Sequence, residues 1–169
     1  KIHFESEDEE CEYYVERLRE QVIFEGGDRI AAIILETVVG SNGIIIYPKN
    51  YIKGVRKICD EFGIMMICDE VMAGWYRTGK MFAYMNFDVT PDIITFAKGV
   101  NSGYIPLGGC IVKNEIAHFF DDKYLSCGLT YSGHPLACAA GVACQEFYLK
   151  NDIESHVQKV GKHLGEKLE

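Results

Sequence analysis

The sequence predicts an α/β fold with a mostly parallel sheet flanked by helices, and two kinds of segment indicate it. Continuous apolar runs, typical of strands that are buried on both faces, cover residues 30–36, 64–69 and 92–97. Segments with apolar residues at helical spacing lie before, between and after these runs. The order strand, helix, strand, loop, strand is the pattern of a parallel sheet with helical connections.

Local signals set the predicted limits of the first two helices. Ser6 and Glu9 form a capping box at the start of the first helix, and Gly26-Gly27 ends it. Pro48 opens the second helix, and Gly63 ends it just before the next apolar run.

The last third of the chain is predicted to add one short strand and three helices. The strand covers residues 109–112, and the helices cover about 114–121, 135–149 and 152–168. Pro135 is placed at the first position of the second of these helices, where a proline is favoured.

Composition and charge exclude several classes of function. The 169 residues carry a net charge of −8, most of it in residues 1–25, which hold nine acids and three bases. The absence of a basic stripe argues against a nucleic-acid partner. No apolar run is long enough to cross a bilayer, so no membrane association is expected.

The cysteines and histidines indicate a reducing compartment and no metal site. Seven cysteines occur without any Cys-x-x-Cys pair, and several lie in apolar runs, so we expect a cytoplasmic protein without a disulfide framework. His134 and Cys138 have the spacing of a metal pair, but no third ligand has a matching position.

Three apolar runs end on charged residues, and these are the candidate site residues. Glu36 ends the first run, Asp69 the second, and Lys98 the third, where Gly99 follows. In α/β sheets, ligands bind outside the carboxyl ends of the strands. A lysine near apolar surface can lose its proton and form a Schiff base with a carbonyl compound. The alternative reading of Lys98 is a solvated residue that caps a strand.

Residues 66–103 resemble the hallmark segment of the class III, or omega, pyridoxal-phosphate aminotransferases. The similar stretches run from Met66 through Asp69 to Gly79 and from Pro91 through Lys98 to Gly99. Two further stretches, residues 34–40 and 128–135, agree as well. The resemblance implies part of the large domain of a fold type I enzyme, with pyridoxal 5'-phosphate as cofactor.

The resemblance also implies a role for each candidate residue. Lys98 corresponds to the Schiff-base lysine that transfers the proton at the substrate carbon. Asp69 corresponds to the partner of the pyridinium nitrogen, and its alternative reading is a turn cap. Val71 points to the same side as Asp69 if the chain stays extended, and it corresponds to a residue on the cofactor ring, although it could equally be core. Glu36 corresponds to a carboxylate that orients the surroundings of the cofactor.

Thr130 is the candidate that implies an assembly. It precedes a turn that opens a helix at Pro135, and such helix entrances suit phosphate groups. The family pattern places this threonine on the cofactor phosphate of the neighbouring subunit, which implies a homodimer with shared sites. The alternative reading is a helix entrance without a ligand.

Two departures from the family pattern bear on the reaction. Thr37 stands where family members usually have proline, and we expect it to change loop shape more than chemistry. Met72 stands where branches that act on 4-aminobutyrate or ornithine have glutamine. An apolar residue there favours the omega-amino-acid or taurine:pyruvate group, which transfers an amino group from an amine donor to a 2-oxo acid such as pyruvate.

The chain lacks several parts that the family resemblance leads us to expect. Family members are far longer, so we interpret residues 1–169 as part of the large domain, without its N-terminal part and without the small C-terminal domain. By itself such a piece is expected to be inactive and to aggregate or pair through unpaired strand edges. Other reactions on the same cofactor (an aminomutase, racemase or decarboxylase) and a non-catalytic α/β module are the alternatives.

Overall fold

The four strands form one sheet at the centre of the structure. The computed structural model describes residues 2–168. The strands are β1 (Ala32–Glu36), β2 (Met65–Asp69), β3 (Ile93–Phe96) and β4 (Gly109–Val112), in the order β1-β2-β3-β4. The first three are parallel and β4 is antiparallel to β3, which confirms the predicted, mostly parallel sheet.

The register of the sheet places the predicted site residues next to one another. Glu36 is paired with Asp69 at the ends of β1 and β2, and Asp69 is paired with Thr95 of β3. Since parallel strands end at the same edge of a sheet, the loops after β1, β2 and β3 all leave from one side.

Residues 2–168 include five α-helices, and most of their limits agree with the local signals. They are α1 (Glu7–Glu25), α2 (Tyr51–Phe62), α3 (Asn114–His118), α4 (Pro135–Lys150) and α5 (Ile153–Leu168). The Ser6 hydroxyl accepts a hydrogen bond from Glu9 N–H at 3.1 Å, as the capping box predicts. The reciprocal bond differs, because the Glu9 carboxylate accepts from Glu5 N–H at 2.6 Å. Gly63 ends α2 with a φ of 67°.

Helix α3 is shorter than predicted. The sequence favours a helix over residues 114–121, but the regular α-helix ends at His118. Phe120 N–H donates to the carbonyl of Ala117, and Asp121 N–H to that of His118, so the chain tightens into turns with three-residue spacing.

The core lies between α2 and one face of the sheet. Ile52, Val55 and Cys59 of α2 contact the layer formed by Met66 and Cys68 of β2, and none of these five side chains is more than 1% exposed. Burying an aliphatic side chain of this size stabilises the fold by about 1.5–3 kcal/mol. This layer fixes β2, and thereby the position of Asp69.

The opposite face of the sheet is open at β1, where the sequence predicted a strand buried on both sides. Ile34 in β1 is 61% exposed, whereas its neighbours Ile33 and Leu35 pack against the core on the other face. Nothing within residues 2–168 covers Ile34. Strand β1 also has one unpaired edge, as the sequence analysis expected for the outer strands.

The segment after β4 contributes little to the core. Only Ala137 and Gly141 are buried in α4, and no described residue of α5 is buried. Tyr131, Leu149 and Leu168 are each more than 75% exposed. Among the helices of residues 2–168, none combines the length and the apolar content that crossing a bilayer requires.

Candidate active site

Two half-buried carboxylates, Glu36 and Asp69, lie side by side at the carboxyl edge of the sheet. Glu36 Oε2 accepts a hydrogen bond from Gly40 N–H at 3.0 Å. Asp69 Oδ1 accepts one from Val71 N–H at 2.9 Å. Within residues 2–168 neither carboxylate has a cationic partner, and each keeps its second oxygen without a hydrogen bond. Both groups are therefore oriented by the backbone and able to accept a further donor.

Lys98 follows the next strand at the same edge. It starts a short 3-10 turn (Lys98–Asn101) two residues after β3, and its side chain is exposed. No carboxylate within residues 2–168 lies within 4.0 Å of its amine. Its φ of 45° lies in the left-handed region, which a lysine adopts only when its surroundings impose it.

Helix α4 provides much of what holds the Lys98 turn in this conformation. The hydroxyl of Tyr148 donates to the carbonyl of Gly99 at 2.7 Å, so the Ser102 hydroxyl, 2.6 Å away, donates to the Tyr148 oxygen. Gln145 Nε2 donates to the carbonyl of Val100 at 2.7 Å. Two hydrogen bonds from α4 to backbone carbonyls, and one between the Ser102 and Tyr148 side chains, therefore hold the turn directly after Lys98.

Trp75 packs against the other side of the same turn. A Cβ atom placed on Gly99 would lie only 2.5 Å from the Trp75 Cβ, so the close approach requires glycine. The Trp75 ring meets Phe82 and Phe96 at centroid distances of 5.1 and 5.5 Å, both edge to face. Trp75 is therefore held in an aromatic cluster beside the Lys98 turn.

The loop also borders an open cavity of about 410 Å³ at the lysine. Tyr76 is 8% exposed and packs on Tyr148 at 5.8 Å, whereas Arg77 is exposed. The lining residues include Trp75, Arg77, Lys98, Ser102 and Tyr148. Arg77 thus takes part in the wall of a cavity and not in the core.

Glu70 is a buried carboxylate next to the site that the sequence reasoning missed. Its side chain is 0% exposed, and it accepts hydrogen bonds from Thr37 Oγ1 at 3.0 Å and from the N–H groups of Ala83 and Tyr84 at 2.8 Å each. Burial raises the pKa of Glu70, against the three hydrogen bonds, which lower it. The sequence did contain a signal for Glu70. Successive side chains of a strand point to opposite faces, so two consecutive acids cannot both face the site.

Val71 and Met72 lie in a turn and not in an extended segment. Strand β2 ends at Asp69, and the Val71 N–H bond to the Asp69 carboxylate closes a turn. The condition that put Val71 and Asp69 on one side is therefore not met. Met72 is 39% exposed and packs against Gly40, where an added Cβ would lie 3.1 Å from its side chain.

Thr130 is not brought to the lysine. It is exposed and borders a separate cavity of about 560 Å³, together with Ile105, Leu107, Tyr131, Gly133 and Ala137. The turn before α4 is present: Ser132 N–H donates to the carbonyl of Leu129, and Gly133 has a φ of 68°.

Of the seven cysteines, Cys59 and Cys68 illustrate the hydrophobic role predicted for several of them. Both are completely buried, and burial raises their pKa values to about 11 and about 12. The thiols therefore stay protonated at neutral pH. Across residues 2–168 no group of three or more His, Cys, Asp or Glu side chains is arranged to hold a metal ion.

Several solved structures with the same fold are transaminases. A taurine:2-oxoglutarate aminotransferase from Bifidobacterium kashiwanohense, in complex with PLP and glutamate, is 53% identical and has a TM-score of 0.93. The match covers 97% of this chain and 37% of that structure. A thermostable (S)-enantioselective omega-transaminase from Thermomicrobium roseum is 39% identical with a TM-score of 0.84, over 88% of this chain and 34% of its own.

A third solved structure and a family model also relate the chain to aminotransferases. An aminotransferase from Bacillus anthracis is 37% identical with a TM-score of 0.87, over 91% of this chain and 35% of its own. The chain thus spans little more than a third of the length of these structures. The family model for aminotransferase class-III matches residues 1–169. The chain belongs to the class III aminotransferases, a family of pyridoxal-phosphate enzymes with fold type I.

Proposed function

We propose that the chain is part of a transaminase that moves an amino group from an omega-amino acid or amine, of the taurine or β-alanine type, to a 2-oxo acid. The observation that carries this proposal is the arrangement at the sheet edge. Asp69 ends one strand and Lys98 follows the neighbouring parallel strand, in a member of the class III aminotransferases, and within residues 2–168 neither has an oppositely charged partner. The similarity to a taurine aminotransferase at 53% identity supports the donor class.

Two acceptors are candidates, each supported by a specific observation. Met72 in place of glutamine favours pyruvate. The Bifidobacterium structure is that of a taurine:2-oxoglutarate aminotransferase, which favours 2-oxoglutarate.

The residues present fit pyridoxal phosphate. The cofactor needs an amine for its carbonyl carbon, a carboxylate for its ring nitrogen and donors for its phosphate, and the chain offers Lys98, Asp69 and Thr130. When bound, the cofactor supplies an electron sink for the carbon that loses its proton. Lys98 Nζ would hold the cofactor and carry that proton, since it lies at an open cavity and no carboxylate of residues 2–168 is within 4.0 Å of it.

The remaining site residues orient these groups. Val71 N–H holds one oxygen of Asp69, which leaves the other able to accept from the ring nitrogen. The family pattern would put the Val71 side chain at the ring, from the turn in which Val71 lies here and not from an extended segment. Glu36, held by Gly40 N–H, orients the surroundings of the cofactor. These assignments follow the family pattern, and the backbone hydrogen bonds to both carboxylates support them.

Thr130 is proposed to serve the neighbouring subunit of a homodimer, on the cofactor phosphate. Its exposure and its position in a cavity separate from that of Lys98 support this role. Because Thr130 borders a different cavity from that of Lys98, it does not complete the site of its own chain. The turn before α4 is exposed, so a second copy of the chain can reach it.

The 169 residues are proposed to form part of the large, cofactor-binding domain, with the rest of that domain and a small C-terminal domain outside them. The open sheet face at Ile34 supports this division, since a covering layer is what such a face requires. A cytoplasmic location is supported by the seven cysteines, none of which is bonded to another in the part of the chain that the structure describes.

A substrate screen of the intact enzyme tests the proposal. Taurine, β-alanine, 4-aminobutyrate and ornithine are offered with pyruvate or 2-oxoglutarate, and the amino acid formed from the acceptor is measured. We expect alanine to form from pyruvate, or glutamate from 2-oxoglutarate, when taurine or β-alanine is the amino donor, and the product identifies the acceptor. Loss of carbon dioxide, racemisation or migration of the amino group, without amino transfer, would contradict the proposal and favour another reaction on the same cofactor.

A further inference from the structure

Thr37 and Glu70 form a buried contact between the loops that follow β1 and β2. Thr37 Oγ1 donates to Glu70 Oε1 at 3.0 Å, and both side chains are 0% exposed. Thr37 directly follows Glu36, and Glu70 directly follows Asp69. The contact therefore joins the two chain segments that carry the paired carboxylates of the site.

Glu70 is a buried acid without a cation. Its oxygens accept one hydroxyl and two N–H donors, from Thr37, Ala83 and Tyr84, and no Lys, Arg or His nitrogen within residues 2–168 lies within 4.0 Å. A buried carboxylate costs free energy unless donors satisfy it. Thr37 supplies the only side-chain donor of the three, so its removal leaves a buried acceptor partly unsatisfied.

Other contacts extend from this pair to the neighbouring strand and loop. Glu70 N–H donates to the carbonyl of Thr95 in β3 at 2.9 Å. Gly40 packs against Met72, and its N–H holds Glu36. The ends of β1, β2 and β3 are thus connected through Glu70 and its neighbours.

We propose that Thr37 is a positioning residue, whose hydroxyl acts through Glu70 to hold the loops after β1 and β2 together and so keeps Glu36 and Asp69 in place at the site. The effect on cofactor binding rests on the proposed function. The contact itself does not, because it is formed by this chain alone. This role of the Thr37 hydroxyl adds to the effect on loop shape that the sequence predicts for Thr37.

The test uses Thr37→Val, which keeps the shape and removes the hydroxyl, in the intact enzyme without cofactor. We expect faster hydrogen exchange at the amides of Ala83 and Tyr84, because the carboxylate that accepts both N–H groups loses a partner. We also expect the dissociation constant of pyridoxal phosphate, measured by protein fluorescence, to rise about tenfold. Thr37→Ser, which restores a hydroxyl, is expected to reverse both effects.

Thr90→Val is the matched control, because it makes the same chemical change at an exposed threonine near the opposite end of the sheet. It is expected to leave both measurements unchanged. If Thr37→Val does not fold, Glu70→Gln is the second variant. Its side-chain amide has a single acceptor oxygen, so the same shift in both measurements is expected.

Three results would overturn the inference. They are wild-type exchange in Thr37→Val, failure of Thr37→Ser to restore either measurement, and an equal effect of Thr90→Val. The exchange measurement needs no cofactor. A wild-type enzyme that binds no pyridoxal phosphate would therefore refute the proposed function, whereas unchanged exchange in Thr37→Val would refute the role of Thr37 itself.

Discussion

The charged residues at the two ends of the sheet differ in whether they have oppositely charged partners. At the amino end, Asp92 accepts hydrogen bonds from Arg56 Nη1, Lys113 Nζ and Met66 N–H, each at 2.7 Å. At the carboxyl end, Asp69 and Lys98 have no oppositely charged partner within residues 2–168. Charges that are paired with one another stabilise the fold, whereas unpaired charges on a fixed backbone are available to a ligand.

The pKa values of an acid near each end, the half-buried Asp92 and the buried Glu70, reflect the same difference. Burial alone would raise the pKa of Asp92, but the hydrogen bonds from Lys113, Met66 N–H and Arg56 together lower it to about 2. Glu70, near the carboxyl end, has no cationic partner within residues 2–168, and burial raises its pKa despite its three hydrogen bonds. The amino end thus favours a charged acid, whereas at Glu70 charge is costly and depends on neutral donors.

The largest expected effect is the loss of kcat in Asp69→Asn, at the carboxyl end of the sheet. If this carboxylate serves the ring nitrogen of the cofactor, its neutral amide cannot stabilise a positive ring, and kcat falls by about a hundredfold or more. The free energy of unfolding changes little, because Asp69 forms no ion pair within the described residues. Steady-state kinetics of the intact enzyme and urea unfolding measure the two quantities; nearly wild-type kcat would contradict the role of Asp69.

A smaller effect, on the free energy of unfolding and not on kcat, is expected for Asp92→Asn at the amino end of the sheet. The folded pKa of about 2 lies below the ordinary value of 3.8. The stabilisation is therefore present above the ordinary pKa and is lost as pH falls through the folded value; its size at neutral pH is about 2 kcal/mol. Asp92→Asn is expected to lower the free energy of unfolding at pH 7 and to flatten its decline in acid, with unchanged cofactor affinity. Equal pH dependence in both proteins would show that the cluster does not stabilise the fold.

Local chemistry explains how much of the fold and site could be predicted from the sequence. Apolar runs, the Ser6 cap and Gly63 give strand and helix limits within about three residues, since these signals act over one or two turns. The placement of Glu36, Asp69 and Lys98 at strand ends follows from where each run meets a charge. All three lie at one sheet edge because β1, β2 and β3 are parallel.

Contacts between distant segments explain what the sequence did not reveal. The burial of Glu70 depends on Thr37, 33 residues earlier, and on backbone groups 13 and 14 residues later. The Lys98 turn is held by Tyr148 of α4, which no local pattern connects to it. The exposure of Ile34 depends on what covers the sheet, and that is a property of neighbouring elements and not of the strand.

The most direct test of the central claim is to locate the covalent bond between the protein and pyridoxal phosphate. The intact enzyme is incubated with the cofactor and reduced with borohydride, and its peptides are examined by mass spectrometry. The account predicts a phosphopyridoxyl group on Lys98 and its loss, together with the visible absorption band, in Lys98→Ala. A stable group on another lysine, or a band that persists in Lys98→Ala, would contradict it.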